Sequence, residues 1–413
     1  MSSISKTIIY ILFILSLFVG LIFQENSAGG AIHDINHLLP YIDKFQEGFK
    51  TGMEYYLNNI NIHSPFFFIL ISYLNNLFNN IFYTEILYIL ISSVLPILFY
   101  RILKIKFDYN KNLLFLVSCL IFISPYFRSS AIWLLGDNLA LIFFSISIIY
   151  YLKFSNDRNN RNFYLCITAI IICCYIRYYY ALFYFFYLFS VYREINNKFF
   201  LIVLTYSFII SIPAFFYIYL IVNNYNFIDT VYTYSKLNYF GNIFTILSII
   251  LFYIFPFITS DLKTIKKHYL KNKKEILLLS FPLIIIYFLD IIFNNNLIDF
   301  SPLGGGVFIK LLNLIELDLK ISLLTISIIS ILILNFYLRT KLIKNYTLMA
   351  LFILSFPMYT LFQKYFDPLI YIFLFGLITF SEKKCLLNIN KSKLLSIYLY
   401  FLSFYFFSLF YYY

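Results

Sequence analysis

Polar and apolar positions along this chain fall into long blocks. Fourteen apolar runs can be drawn, near residues 7–23, 65–82, 84–103, 112–127, 131–152, 163–176, 178–191, 199–222, 242–259, 275–294, 321–338, 346–361, 367–381 and 395–413. Most approach the roughly 20 residues a helix needs to cross a hydrocarbon layer. The pattern predicts an all-α polytopic membrane protein, a single membrane domain over residues 1–413. The first run follows a short polar start, MSSISK. At about 17 residues it exceeds the roughly 7–15 of a signal-peptide core, so an uncleaved first span is expected.

One run departs from the rest. Residues 65–82 include Asn75, Asn76, Asn79 and Asn80, which make the stretch amphipathic and a poor spanning helix. It is expected at the interface, closing a first outer loop over residues 24–82 that contains interfacial helices. About 13 transmembrane helices remain. Charge agrees with this parity. With thirteen spans, 23 of the 31 basic residues lie on the side of the N-terminus, and the positive-inside rule makes that side cytoplasmic. Were 65–82 to span, the cluster Arg101, Lys104, Lys106 and Lys111 would share a side with the acidic first loop. The expected location is therefore a cell's inner (cytoplasmic) membrane, multi-pass, with the N-terminus cytoplasmic and 13 of 19 acidic residues outside.

Composition sharpens the class. The 413 residues are 62% apolar, 23% aromatic and 12% charged, well beyond the roughly 45–50% apolar content of soluble domains. The net charge of +12 comes from short basic clusters between apolar runs. No basic-aromatic module accompanies them, so a nucleic-acid partner is not expected. The five cysteines (Cys119, Cys166, Cys173, Cys174, Cys385) lie in or beside apolar runs, and none has metal-ligand spacing with a histidine. No GxSxG, HExxH or CxxC element is present, and no connection is long enough to fold as a soluble domain.

Side chains capable of chemistry concentrate in the loop at 24–65, which holds five of the 19 acidic residues and three of the four histidines. His33-Asp34 follows a Gly29-Gly30 turn. A carboxylate there suits a general base or a metal ligand, or it caps a helix over Ile35–Tyr41. In His63-Ser64-Pro65, Pro65 fits a first helical position with Ser64 as cap. That leaves His63 as a phosphate- or sugar-binding group or a solvated imidazole.

Further along, PYFRSSAIWLLGDNLALIFF holds Arg128 and Asp137. Asp137 is expected six residues into a span, where a carboxylate needs a partner, and Arg128 and Arg177 are the candidates. The result is a functional site or a structural ion pair. Arg177, within CYIRYYYALFYF, suits bidentate phosphate recognition, although its flanking tyrosines also fit an interfacial belt. SPLGGGVFIK (Ser301–Lys310) offers backbone amides to a phosphate without Walker spacing. In QKYFDPLIY, Lys364 and Asp367 suit an anionic head group and a polar acceptor, or pair with each other.

The order of these features resembles the GT-C glycosyltransferases, especially bacterial relatives of dolichyl-phosphate-mannose protein mannosyltransferases and aminoarabinose transferases. The residues that carry the resemblance are Asp34, His63-Ser64-Pro65 and the stretch Arg128–Asn138, within roughly Thr7–Leu188. The family's acidic pair is here an isolated Asp34, and its His-Pro-Pro is His-Ser-Pro. The resemblance implies a polyprenyl-phosphate sugar donor and inverting displacement at the outer face. It implies Asp34 as base toward a lipid, glycan or protein acceptor, and basic outer residues on the leaving phosphate. His33, His63, Arg128, Asp137, Arg177, Lys364 and Asp367 then become expected substrate-binding residues, and a divalent cation assists in some members. The other reading is a transporter or flippase for lipid-linked saccharides. Against it, no internal repeat appears and the polar residues gather at one membrane face.

Overall fold

The computed structural model describes residues 2–59, 61, 63–192, 197–223, 238–293, 297–301, 304–380, 386–387 and 389–412. Cys385, Asn294–Asn296 and most of the outer stretch Asn223–Gly241 lie outside them. Among the described residues the secondary structure is helical throughout, with no strand. Eight helices are long and apolar enough to cross a membrane, nine if one bent pair counts as a span. This is the architecture of a helical membrane-embedded protein.

Several apolar runs form helices shorter than the runs themselves. Pro65–Phe78 has 14 residues, or about 21 Å of rise, well short of a roughly 30 Å hydrocarbon core. Ala181–Tyr192 has 12 residues, Leu342–Leu354 13 and Leu369–Gly376 8. The run at 112–127 bends by 64° between Lys111–Ile123 and Pro125–Ile132. Pro125 occupies a first-turn position there, with the Ser124 hydroxyl capping Phe127 N at 3.0 Å. A proline lacks the N–H that would continue the preceding helix, so the direction changes at that residue.

The chain divides into two compact units, residues 1–233 with 401–413, and residues 234–400. In the first unit, Ser3–Ile22 packs on Pro125–Ile132, and Gly136–Asp157 packs on both Asn160–Ile176 and Val94–Lys106. The first loop forms three helices, Ala31–Glu47, Phe49–Asn58 and Pro65–Phe78. Ala31–Glu47 buries Ala31, Ile35, Leu38, Tyr41, Ile42 and Phe45, the three-to-four spacing that puts side chains on one helix face. It packs on the other two loop helices.

In the second unit, Tyr239–Ile258 is buried along most of its length and packs on Leu319–Leu338. Ser327 and Ser330 donate to the carbonyls of Phe244 (3.2 Å) and Leu247 (2.7 Å). Small hydroxyl residues bring apolar helices close and bond across them, the association expected where lipid gives no hydrophobic drive between helices.

Candidate functional site

The site in the first unit is built at a break in the chain. Pro125–Ile132 closes on Trp133, Leu134 adopts a left-handed φ of 50°, and a new helix begins at Gly136. The break is satisfied internally. The Leu135 carbonyl accepts from the hydroxyls of Tyr88 (2.5 Å) and Ser130 (2.9 Å), and Leu135 N donates to Ser130 O at 3.1 Å. Asn138 donates its backbone N–H to Ser130 Oγ (3.2 Å) and its side-chain amide to the Phe127 carbonyl (2.9 Å). Irregular backbone in an apolar bundle persists only with its polar groups bonded in this way.

Asp137 is therefore not six residues into a span, as the apolar run implied. It lies in the first turn of Gly136–Asp157, where exposed N–H groups and the helix dipole favour a carboxylate. Its partner comes from the end of the next helix. Arg177 is the extended residue that closes Asn160–Ile176 before the turn Tyr178–Tyr180. Its Nε reaches Asp137 Oδ1 at 2.9 Å and its Nη2 reaches Oδ2 at 3.0 Å. Tyr179 OH donates to Oδ1 at 3.2 Å. Both charged side chains are 11% exposed. Two parallel charge-assisted bonds fix the guanidinium plane, which one bond would not.

The third member is His63, whose Nδ1 lies 2.9 Å from Arg177 Nη1. A guanidinium has no acceptor, so Nδ1 must accept and the imidazole proton sits on Nε2. Local structure holds His63 in place. Its N–H donates to Asn61 Oδ1 at 2.9 Å, and its carbonyl takes a short bond from the buried Tyr56 hydroxyl. The same hydroxyl reaches the Asn61 carbonyl (2.8 Å) and the Tyr217 hydroxyl (2.7 Å). Burial, then the adjacent Tyr217, push Tyr56 ionisation well above the ordinary tyrosine range, so it remains a donor. Ser64 and Pro65 take the expected places: Ser64 Oγ accepts from Phe66 N at 3.2 Å, and Pro65 opens the helix.

Arg128 is not a partner of Asp137. It is committed to Glu25, with Nε at 2.8 Å from Oε1 and Nη2 at 2.5 Å from Oε2, both side chains 7% exposed. Arg128 also donates to Ser16 Oγ and Ser16 O, each at 2.9 Å, and stacks 5.1 Å from the Tyr405 ring centre. Trp133 Nε1 donates to the Glu25 carbonyl at 2.7 Å. Gly20 leaves room for the pair. A Cβ there would lie 2.7 Å from Glu25 Oε2 and 2.7 Å from Ile132 Cδ1. Glu25 was not among the expected site residues; its only sequence signal is an acid just beyond an apolar run.

Asp34 does not cap its helix. Ala31–Glu47 begins three residues earlier with Gly30 as cap, leaving Asp34 half-buried in the first turn with its N–H on Gly30 O at 2.9 Å. His33 is exposed and meets His37, Nε2 to Nε2, at 3.0 Å.

In the second unit, Lys364 lies over the rings of Phe362 (5.2 Å) and Tyr365 (5.9 Å), and Asp367 is buried. Amides of the glycine loop bond within the chain. Gly305 N donates to Leu361 O at 2.7 Å and Val307 N to Gln363 Oε1 at 2.9 Å. A Cβ on Gly304 would stand 2.4 Å from the Leu361 carbonyl oxygen, so glycine serves close backbone approach there.

This unit also holds polar groups that sequence reasoning missed. Asp290, fully buried, accepts from Lys320 Nζ (2.7 Å) and the N–H groups of Leu297 (2.9 Å) and Ile298 (2.7 Å). Glu275 gathers Arg339 and His268 at 3.2 Å each and Asn335 at 2.8 Å.

The first unit thus brings together His63, Asp137 and Arg177, and sets Arg128 in a separate ion pair. Among the described residues no group of three or more His, Cys, Asp or Glu side chains is placed to hold a metal ion. No protein family, no curated protein and no solved structure matches the chain.

Proposed function

We propose that this chain is a membrane glycosyltransferase of the GT-C kind. It moves a sugar from a polyprenyl-phosphate donor to an acceptor hydroxyl at the outer face of the cytoplasmic membrane. The observation that carries this reading is the His63–Arg177–Asp137 assembly. Two of its members, His63 and Asp137, lie in the stretches that resemble the family, and a guanidinium with an imidazole N–H suits a phosphate.

In this reading the acceptor oxygen attacks the anomeric carbon as the bond to the donor phosphate breaks, with inversion. Asp34 takes the acceptor proton, and the polyprenyl phosphate leaves. Asp137 holds the guanidinium of Arg177 flat, and Arg177 with the Nε2–H of His63 meets the departing phosphate. With the thirteen spans that the charge distribution favours, the first loop and these groups would share the outer side.

The test is transfer activity in membranes at matched expression, with a panel of polyprenyl-phosphate sugars. Wild type is compared with Asp34→Asn and Arg177→Lys. Donor-dependent transfer that disappears in Asp34→Asn and falls sharply in Arg177→Lys supports the reading. Transfer that survives Asp34→Asn removes that residue from the chemistry. A folded protein that transfers from no donor favours the reading as a transporter or flippase of lipid-linked saccharides.

A further inference from the structure

The helix Ala31–Glu47 buries its apolar face and leaves His33, Asn36, His37 and Pro40 exposed on the other. His33 and His37 stand one turn apart, with ring centres 4.3 Å apart at 89° and Nε2 atoms 3.0 Å apart. Among the described residues, each ring's hydrogen-bond partner is the other. Two nitrogen donors at right angles about a metal ion, with bonds of about 2.1 Å, lie about 3.0 Å from each other. The pair already holds that separation.

We propose that His33 and His37 form a surface chelate for a divalent transition-metal ion, of the Cu²⁺, Ni²⁺ or Zn²⁺ type, with water or ligand oxygens completing the coordination. Histidines four residues apart on one helix face is the spacing that helical zinc sites use, because both rings then point the same way. Two imidazoles select these ions over Mg²⁺ and Ca²⁺, which prefer oxygen donors. An ion held by both Nε2 atoms needs each ring to carry its proton on Nδ1, so the Nε2–Nε2 hydrogen bond is given up as the metal enters. With two protein ligands the site is open, and exchangeable ligands can enter it. The inference is independent of any transfer reaction, because its readout is the metal itself.

The experiment uses the full chain in detergent, carrying no histidine tag. Cu²⁺ and Ni²⁺ are titrated by calorimetry, and the Cu²⁺ complex is examined by electron paramagnetic resonance. One equivalent should bind, with two nitrogen ligands in the spectrum. His33→Ala and His37→Ala should each weaken binding by about tenfold or more, whereas Asn36→Ala on the same face and His268→Ala should not. Equal binding in wild type and both histidine variants overturns the proposal. So does loss of binding in His268→Ala, or a spectrum with a single nitrogen ligand.

Discussion

Arg177 holds Asp137 through two parallel hydrogen bonds, Nε to Oδ1 at 2.9 Å and Nη2 to Oδ2 at 3.0 Å, with the residues on different helical segments. Asp137 opens one helix and Arg177 closes the next, so the pair locks the ends of Gly136–Asp157 and Asn160–Ile176 together. Taking both charges out of water opposes folding, and the geometry recovers that cost only while both partners are present.

Removing one partner should therefore cost more than removing both. Asp137→Ala and Arg177→Ala are each expected to destabilise by about 3–5 kcal/mol, and the double variant by less than either. Thermal unfolding in detergent across the four-protein cycle measures this. A coupling below about 0.5 kcal/mol would show that the two residues act independently.

Gly20 is a spacer for the second ion pair. Gly20→Ala brings a methyl group within 2.7 Å of both Glu25 Oε2 and Ile132 Cδ1. The overpacking should lower stability by about 1–3 kcal/mol. Glu25→Ala in the same background should relieve the contact with the carboxylate but keep the one with Ile132, and it leaves Arg128 uncompensated. A melting temperature unchanged by Gly20→Ala would mean that the first span does not press on this pair.

Tyr56 supports His63 through its backbone. Tyr56→Phe removes the hydroxyl from the carbonyls of Asn61 and His63. Leaving these acceptors without that donor should cost about 1–3 kcal/mol. Tyr217 lies 3.5 Å from the His63 carbonyl and bonds chiefly to Tyr56, so Tyr217→Phe should cost less. Chemical denaturation of the two variants side by side decides it, and the reverse order would refute the assignment.

In the second unit, Asp290 is completely buried and accepts from Lys320 and two backbone N–H groups. Asp290→Asn should destabilise by about 3 kcal/mol or more, because Lys320 keeps its charge without a counter-ion. Lys320→Met in that background should recover part of the loss. Melting curves of the single and double variants test it; no recovery in the double would mean that the backbone bonds alone explain the cost.

Much of the local structure was legible. Ser64 and Pro65 open their helix as their side chains dictate, since a hydroxyl cap and a missing N–H act within a few residues. The amphipathic stretch at 65–82 does form a helix too short to cross hydrocarbon. The break at 133–135 was not legible. Its leucines read as the continuation of an apolar run, and what stops the helix is bonding from Tyr88, Ser130 and Asn138.

By itself the sequence determined the class: apolar blocks of spanning length require helices, because only helices satisfy their own backbone within an apolar phase. It also marked the few polar side chains costly enough to need partners. The choice of partner belonged to the tertiary structure. Arg128 finds Glu25 103 positions away, while Arg177 finds Asp137 at 40 and His63 at 114. Periodicity and capping act over single turns, whereas ion pairing is settled by which helix ends the packing brings within 3 Å.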